Sequence, residues 1–421
     1  MKNLNIYLTI LFLTAVSVNL FAQEEFDIGS PYTINGLGDP QYFVSNRTDG
    51  MSITGISLTG NFINSMNPAA NYRMQYTTFS LGFKYLFLRS SDGIKNAETS
   101  DGNITGFNLG IPVQKDMGWV LNLGFNPMNQ ITYKIVNNSV SNGLPVEQTY
   151  AGSGGLTRLN AGMSFAGLKN VSLGFEYNYS FGNIKKLAAL DFNNPEYSNS
   201  YRKIEDNLKG SFFKAGLVVN LGRIFKELKA EELTIGFLYQ SKLQMTSDID
   251  NIYGTSLGLD SINYIGDEVT IPDLFGVGVM NRFDTRFVVS ADAIFQNWSK
   301  FKIGNDLQPN LQNSFRAGIG FELSPPPSGF ENLGFWENKY YRFGFFYEKT
   351  KYMINSESVN GFGASLGIGI PITQFNSIDI SLSYLTRGKT GNELLKEDVL
   401  RITAGVNFGE FWFLRPKDED K

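Results

Sequence analysis

Along this chain apolar and polar residues alternate in one segment after another, usually with aromatics on the apolar beat. The clearest run is Val171-Ser172-Leu173-Gly174-Phe175-Glu176-Tyr177-Asn178-Tyr179-Ser180-Phe181. Successive side chains of a strand point to opposite faces, so this pattern makes a ribbon with one oily and one wet side. Such a ribbon belongs in a sheet whose oily face is hidden, in a protein core or in lipid.

Fourteen segments carry the pattern: Tyr76–Leu88, Ile104–Val113, Gly118–Asn126, Leu156–Phe165, Val171–Phe181, Ser211–Leu221, Leu233–Met245, Leu274–Met280, Arg286–Phe295, Ser314–Leu323, Tyr340–Tyr347, Gly361–Ile370, Ser377–Leu385 and Val399–Phe408. The oily beat carries residues such as Phe79, Phe83, Trp119, Leu123 and Phe213. The other beat carries Lys84, Asn122, Arg158, Glu176, Lys214, Asp292, Arg316, Glu322, Arg342, Asp379 and Arg401 among Ser, Thr and Gly. A soluble sandwich also alternates, but mid-strand charges at one parity suit a polar lumen.

Composition agrees. Aromatics are 14% and there are 44 glycines, whereas charged residues are 18% of the 421. The absence of His and Cys removes imidazole bases, His-dependent triads, thiolate metal sites and disulfides. No Ser-Asp or Ser-Lys pair is marked by spacing, so an enzyme is not expected, nor is a cofactor. Gly152–Gly155 leads into a strand without a following Lys-Ser/Thr, unlike a phosphate loop. Asp248, Asp250 and Asn251 lack the Gly and distal Glu of a calcium loop, so no metal site is expected. A net charge of −4 gives no reason to expect nucleic acid.

Lys2, the apolar stretch Ile6 to Leu20 and Leu20-Phe21-Ala22 before Gln23 read as a cleaved secretory signal over residues 1–22. A signal-anchor helix is the alternative, for which the apolar run is short. Connections after odd-numbered segments are mostly long and polar. Those after even-numbered ones are mostly tight, as at Gln114–Met117 and Pro371–Asn376. Outer-membrane barrels have short periplasmic turns and long external loops, so an even strand count leaves both termini in the periplasm. The even connection Ser324–Lys339, with Pro325-Pro326-Pro327, departs from that rule. The expectation is an all-β transmembrane antiparallel barrel over 76–410, a plug over 23–75 and a periplasmic tail over 411–421. The leader is too apolar and Gly-rich for a solvated tail, as Gly36-Leu37-Gly38, Phe62 and Ile63 show.

At this level the sequence resembles the FadL-type outer-membrane transporters of long-chain fatty acids and other hydrophobic compounds. Asn67-Pro68-Ala69-Ala70 resembles that family's Asn-Pro-Ala hallmark, where the hatch hands over to the barrel. Further similarity lies in Gly152–Leu156, in Ile271-Pro272-Asp273 with Asn297-Trp298-Ser299-Lys300-Phe301, and in Tyr341–Phe345 with Gly361–Gly369. The resemblance implies a hatch in a barrel of about fourteen strands, loop capture of an amphipathic ligand, hatch movement, and exit sideways beside a kinked third strand. The chain departs from the family in continuing past Phe411-Trp412-Phe413 to Lys421.

Ligand-binding candidates are the hatch residues Phe62, Ile63, Asn67, Pro68 and Ala69 and the lumen cations Arg158, Lys214, Arg316, Arg342 and Arg401. Any of these cations can hold a carboxylate, or pair instead with Glu176, Glu322 or Asp379. Pro112, Asn126 and Pro127 are candidates for the lateral opening, since Pro removes ladder donors; ordinary strand ends are the plainer reading of the prolines. Expected partners are a hydrophobic small molecule, outer-membrane lipids and the barrel assembly machinery, with a monomeric barrel in the Gram-negative outer membrane. The rival is a plugged scaffold whose loops or Pro-rich turn bind a protein in secretion or adhesion. An open porin conflicts with the plug. N-terminal sequencing of protein recovered from membranes should begin at Gln23; a chain retaining Met1 would mean an uncleaved anchor.

Overall fold

The computed structural model describes residues 26, 29–42, 45–141, 143–168, 170–192, 194, 196–225, 232–255, 257–284, 286–326 and 334–412. The expected signal segment 1–22, Pro327 and Phe413–Lys421 lie outside them.

Fourteen antiparallel strands close into a barrel. They are β1 (Thr77–Ser91), β2 (Asn96–Gln114), β3 (Trp119–Pro127, resuming as Asn129–Ser141), β4 (Leu144–Leu168) and β5 (Val171–Asp191). Next come β6 (Ser200–Asn220), β7 (Thr234–Gln240, resuming as Leu243–Thr255), β8 (Val269–Ile271, resuming as Leu274–Phe283) and β9 (Phe287–Gln296). The wall ends with β10 (Ser314–Leu323), β11 (Tyr340–Ile354), β12 (Glu357–Pro371), β13 (Ser377–Arg387) and β14 (Lys396–Glu410). Closure is made by β14 on β1, from Thr77↔Glu410 to Ser91↔Lys396. Closure abolishes the exposed sheet edge, which lipid could not hydrogen-bond.

The alternation is inverted relative to a soluble sheet. In β5, Leu173, Phe175, Tyr177 and Tyr179 are exposed, while Ser172, Gly174, Glu176, Asn178 and Ser180 are buried inside. The exterior therefore presents an apolar belt and the interior a polar lumen. The strands run further than the alternation indicates, almost always at the end away from the termini. Residues 144–155 of β4 and 182–191 of β5 are paired strand, as Gln148↔Leu190 shows. Much of what reads as long external loops is hairpin, and the β1–β2 turn spans only residues 92–95. Above the lipid both faces meet water, so an apolar beat is no longer required there.

Inside the barrel lies the N-terminal plug. A 3-10 turn at Pro31–Ile34, a one-turn helix at Asn46–Asp49 capped reciprocally by Ser45 and Thr48, and a 3-10 turn at Pro68–Arg73 punctuate it. Met51, Ile56, Leu58, Ala69 and Met74 are almost wholly buried against lumen residues. Small wall residues let its backbone come close. A Cβ on Gly344 would overlap the Met51 carbonyl oxygen, and one on Gly174 the Ala69 amide. Gly344→Val should therefore loosen the plug, at about 1–3 kcal/mol of overpacking. Faster hydrogen exchange of residues 45–60 would report it, with lipid-facing Phe345→Leu as the unaffected control; unchanged exchange would contradict the packing.

Candidate functional site

Wall charges grip the plug from several sides. Arg47 of the plug helix forms a two-pronged pair with Glu322 of β10 at 2.7 and 2.8 Å. Glu322 also accepts from Arg342 of β11 at 2.7 Å, and Arg342 reaches Asp379 of β13. Asp49 accepts from Arg401 and Ser381, each at 2.7 Å, and from Thr403 at 2.5 Å. Arg387 joins Asp39 at 2.8 Å to Glu397 at 2.7 Å. Asp292 accepts the Thr54 and Gly55 amides at 3.2 and 2.5 Å. In a low-dielectric interior such charges are tolerable only when paired and hydrogen-bonded.

The proposed ligand cations mostly follow the paired alternative. Lys214 is 3.3 Å from Glu176 and donates to the Ser65 carbonyl at 2.8 Å. Arg316 pairs with Glu348 at 2.8 Å and stacks on Phe346; Arg342 and Arg401 are engaged as above. Arg158 differs: it donates to the Ser65 carbonyl at 3.3 Å, and its buried Nε has no hydrogen-bond partner among the described residues. Ile63, Asn67, Pro68 and Ala69 pack between plug and wall, while Phe62 also lines a cavity of about 570 Å³ with Arg47, Tyr76, Pro325 and Phe375. Phe62 lies among Met51, Ile53, Leu58 and Met280 with Arg47 over its ring, and Ile63 among Met74 and Val120. Asn67 caps the Pro68–Arg73 turn, accepting from the Ala69 amide at 3.1 Å and donating to the Ile56 and Phe237 carbonyls at 2.7 and 3.3 Å. The Ala69 carbonyl accepts from Ser172 at 2.8 Å. Asn-Pro-Ala is thus a buried rivet joining plug to wall.

The wall itself has a seam. Pairing of β2 with β3 runs only from Gln114↔Trp119 to Phe107↔Phe125. Beyond it, Asn96–Ile104 pairs with β1, and Ile131–Ser141 pairs with β4. Pro127 marks the kink between the two parts of β3, and Asn126 below it bonds Asn108 and Asn160 at about 3 Å. Pro112 sits near the opposite end of β2, opposite Val120 and beside a register shift. On the free edge of β3 lies the plug: Asp39↔Gln130 and Pro40↔Asn129 pair, and the Gln41 amide donates to the Met128 carbonyl at 2.8 Å. Gln130 also donates across the seam to Asp101 of β2. A spanning strand needs roughly 9–11 residues, so the seam starts near the outer-leaflet level.

Two cavities flank plug residues Pro40, Gln41 and Tyr42. One of about 150 Å³ is lined in part by Lys84, Arg316, Lys351, Arg387 and Arg401. Its neighbour of about 70 Å³ is lined in part by Met66, Met128, Arg158, Trp298 and Lys351. Sequence reasoning placed Lys84 on the lumen face without singling it out, and passed over Lys351. A register shift between Lys349 and Met353 breaks the alternation of β11, so that adjacent Lys351 and Tyr352 are both buried against the plug although simple alternation points Lys351 outward.

Fourteen strands around an N-terminal plug, with a kinked third strand, define a plugged transmembrane antiparallel β-barrel. The chain belongs to the BamG family, whose model matches residues 2–418. Solved structures with the same fold include the CymD monoaromatic hydrocarbon channel, at 14% identity and TM-score 0.57, over 90% of this chain and all of that one. The Ralstonia pickettii toluene transporter TbuX gives 16% and 0.57, over 89% and 99%. A Pseudomonas aeruginosa FadL homologue gives 14% and 0.58, over 88% and 98%. No curated protein matches the sequence.

At the short-turn end, Glu232 bridges Arg73 of the plug at 3.3 Å and Arg282 of β8 at 2.8 Å. Burial raises the Glu232 pKa, but the two guanidiniums outweigh it and hold the carboxyl below its ordinary value. This latch should persist above the usual carboxylate range and be lost as pH falls through that lowered pKa. Accordingly, acid should speed exchange at residues 72–75 in the native protein, and Glu232→Gln should abolish that dependence. Glu322→Gln should cost about 3–5 kcal/mol, the range for breaking a buried pair. A lower thermal midpoint with faster exchange around Arg47 would register it; a shift no larger than that of Glu348→Gln would show that Glu322 is not the principal anchor.

Proposed function

We propose that this barrel carries fatty-acid-like hydrophobic small molecules through the outer membrane of a Gram-negative cell, after export by a cleaved signal peptide. The seam between β2 and β3 carries this reading. It is the place where an apolar molecule could leave the lumen without crossing a hydrogen-bonded sheet, and plug residues 39–41 occupy its edge. Moving that segment would connect lumen to lipid.

Above the plug an apolar throat supports the route. Leu208, Phe212, Leu243, Met245, Trp298 and Phe301 pack there with Ile131 and Tyr133 of β3. A ligand entering from the long-hairpin end would exchange contacts with these side chains and then meet the plug. The step requires no covalent chemistry and no cofactor; it exchanges water for apolar contact. The structural relatives named as hydrocarbon channels and transporters are in keeping with such cargo.

A second reading, a plugged scaffold for a protein partner in secretion or adhesion, draws on one observation: the throat is filled by the chain's own side chains and the plug is bound by ion pairs. Locking the seam separates the two. Because the chain has no Cys, Asp101→Cys with Gln130→Cys introduces one reducible bridge. Uptake of labelled oleate and of toluene into cells should fall at least about tenfold in the oxidised variant and return on reduction. Equal uptake in locked, unlocked and barrel-free cells would leave the scaffold reading.

A further inference from the structure

At the long-hairpin end the sheet stops on an open edge. The outer part of β7 forms a hairpin with the strand Gly258–Ile265, paired from Asp248↔Ile265 to Thr255↔Gly258. On its other side Gly258–Ile265 has no strand partner among the described residues. Neighbouring β9 stops at Gln296, opposite Leu274. A short hairpin, Lys302–Ile303 with Asp306–Leu307, takes the next place in the sheet at the base of this edge. It turns back at Gly304, whose amide donates to the Glu268 carbonyl at 2.8 Å.

The Gly266 amide donates to the Ser247 carbonyl at 2.9 Å, and this fixes the parity of the pairing. In an antiparallel pair, alternate residues turn both N–H and C=O toward the partner. Residues 258, 260, 262 and 264 therefore bond to β7, while Leu259, Ser261, Asn263 and Ile265 present their backbone groups to the open side. The Ser261 amide agrees, turning to the Asp260 carboxylate at 2.9 Å. Proteins blunt such an edge with Lys, Pro, a bulge or a covering segment. Gly258–Ile265 holds an unbroken register with neither Lys nor Pro, and all of its residues are exposed. Leu259 and Ile265 stand in water on one face, Ile262 and Tyr264 on the other. Charge is one-sided as well. Asp260, Asp267, Glu268 and Asp306 are exposed along the edge and its base, and Lys302 is the one cation within 258–268 and 302–307.

We infer that this edge is a docking site for an extended, basic segment of another protein, added to the sheet as its next strand. Main-chain bonds to Leu259, Ser261, Asn263 and Ile265 supply the affinity, and the acidic side chains select the partner. A symmetric second copy does not fit. Two barrels of one orientation in one membrane are related by a two-fold along the membrane normal. That operation sets each residue level with itself, N–H facing N–H, and no ladder forms. The site stands on the opposite side of β4–β6 from the β2–β3 seam, so it holds whether or not the barrel transports.

The probe is a fluorescent peptide of alternating Lys and Val, about ten residues long, titrated into the full-length barrel in detergent and followed by anisotropy. Saturable binding at one per barrel is expected, with slower amide exchange over residues 258–265. The same peptide N-methylated at every residue keeps its charges and loses its donors, so it should bind at least about tenfold more weakly, as should a Glu-Val peptide. Asn263→Pro removes a donor from the open side and leaves the bonds to β7 intact. It should weaken binding at least about tenfold, whereas Asn263→Ala should not. No saturable binding, or equal binding of the N-methylated peptide, overturns the site, and so does full binding by Asn263→Pro. Should that variant fail to fold, the two Lys-Val peptides on the native protein decide alone. Self-association of the native barrel in sedimentation that Asn263→Pro abolishes would make a second copy the occupant and overturn the reading.

Discussion

The fold hangs on the pairing of charges between plug and wall. A closed barrel with lipid outside must turn its polar beat inward, and that beat includes full charges at Glu176, Lys214, Asp292, Glu322, Arg342 and Asp379. Left alone in a narrow lumen, each would carry a large desolvation penalty. The chain meets this by threading its own N-terminal segment through the lumen. Arg47, Asp49 and Asp39 then complete ion pairs begun by wall residues, and plug amides complete Asp292. The plug is thus the polar filling that makes this wall affordable.

Gripping of the plug is uneven around the circumference. Toward β10–β14 it is held by the Arg47–Glu322–Arg342–Asp379 chain and by Asp49 with Arg401. Toward β2 and β3 it is held by a short strand pairing, by backbone bonds and by contacts of Thr33 with Thr132. A wall whose β2–β3 pairing stops at Phe107↔Phe125, closed from within by a lightly held segment, is suited to local opening. Sub-global motion there need not disturb the ion pairs on the far side.

Much of this architecture was legible in the chain. Period-two alternation located all fourteen wall strands, and the mid-strand charges at one parity showed which face would be lumen. The N-terminal segment's apolar, Gly-rich character announced the plug. Strand ends were less legible, because the signal is amphipathicity and it fades once both faces meet water. Candidate residues fared by type. Lys214, Arg316, Arg342 and Arg401 were placed in the lumen by parity alone, but their counter-charges come from neighbouring strands or from the distant plug. Asn67, Pro68 and Ala69 drew attention as a motif, and their geometry gives them a packing role.

What the sequence by itself determined is the inverted ribbon: an oily face too large and too regular for a soluble core, repeated often enough to close. It determined this because side-chain direction along a strand is a local, two-residue property. Charge compensation was decided only in three dimensions. Glu322 and Arg47 are 275 positions apart, and nothing near either residue marks the other as its partner. The inward turn of Lys351 likewise depends on a register shift against the neighbouring strand. Which cations stay uncompensated, and where the wall stays unzipped, follow from how the closed sheet and its plug meet, a long-range property that no local pattern encodes.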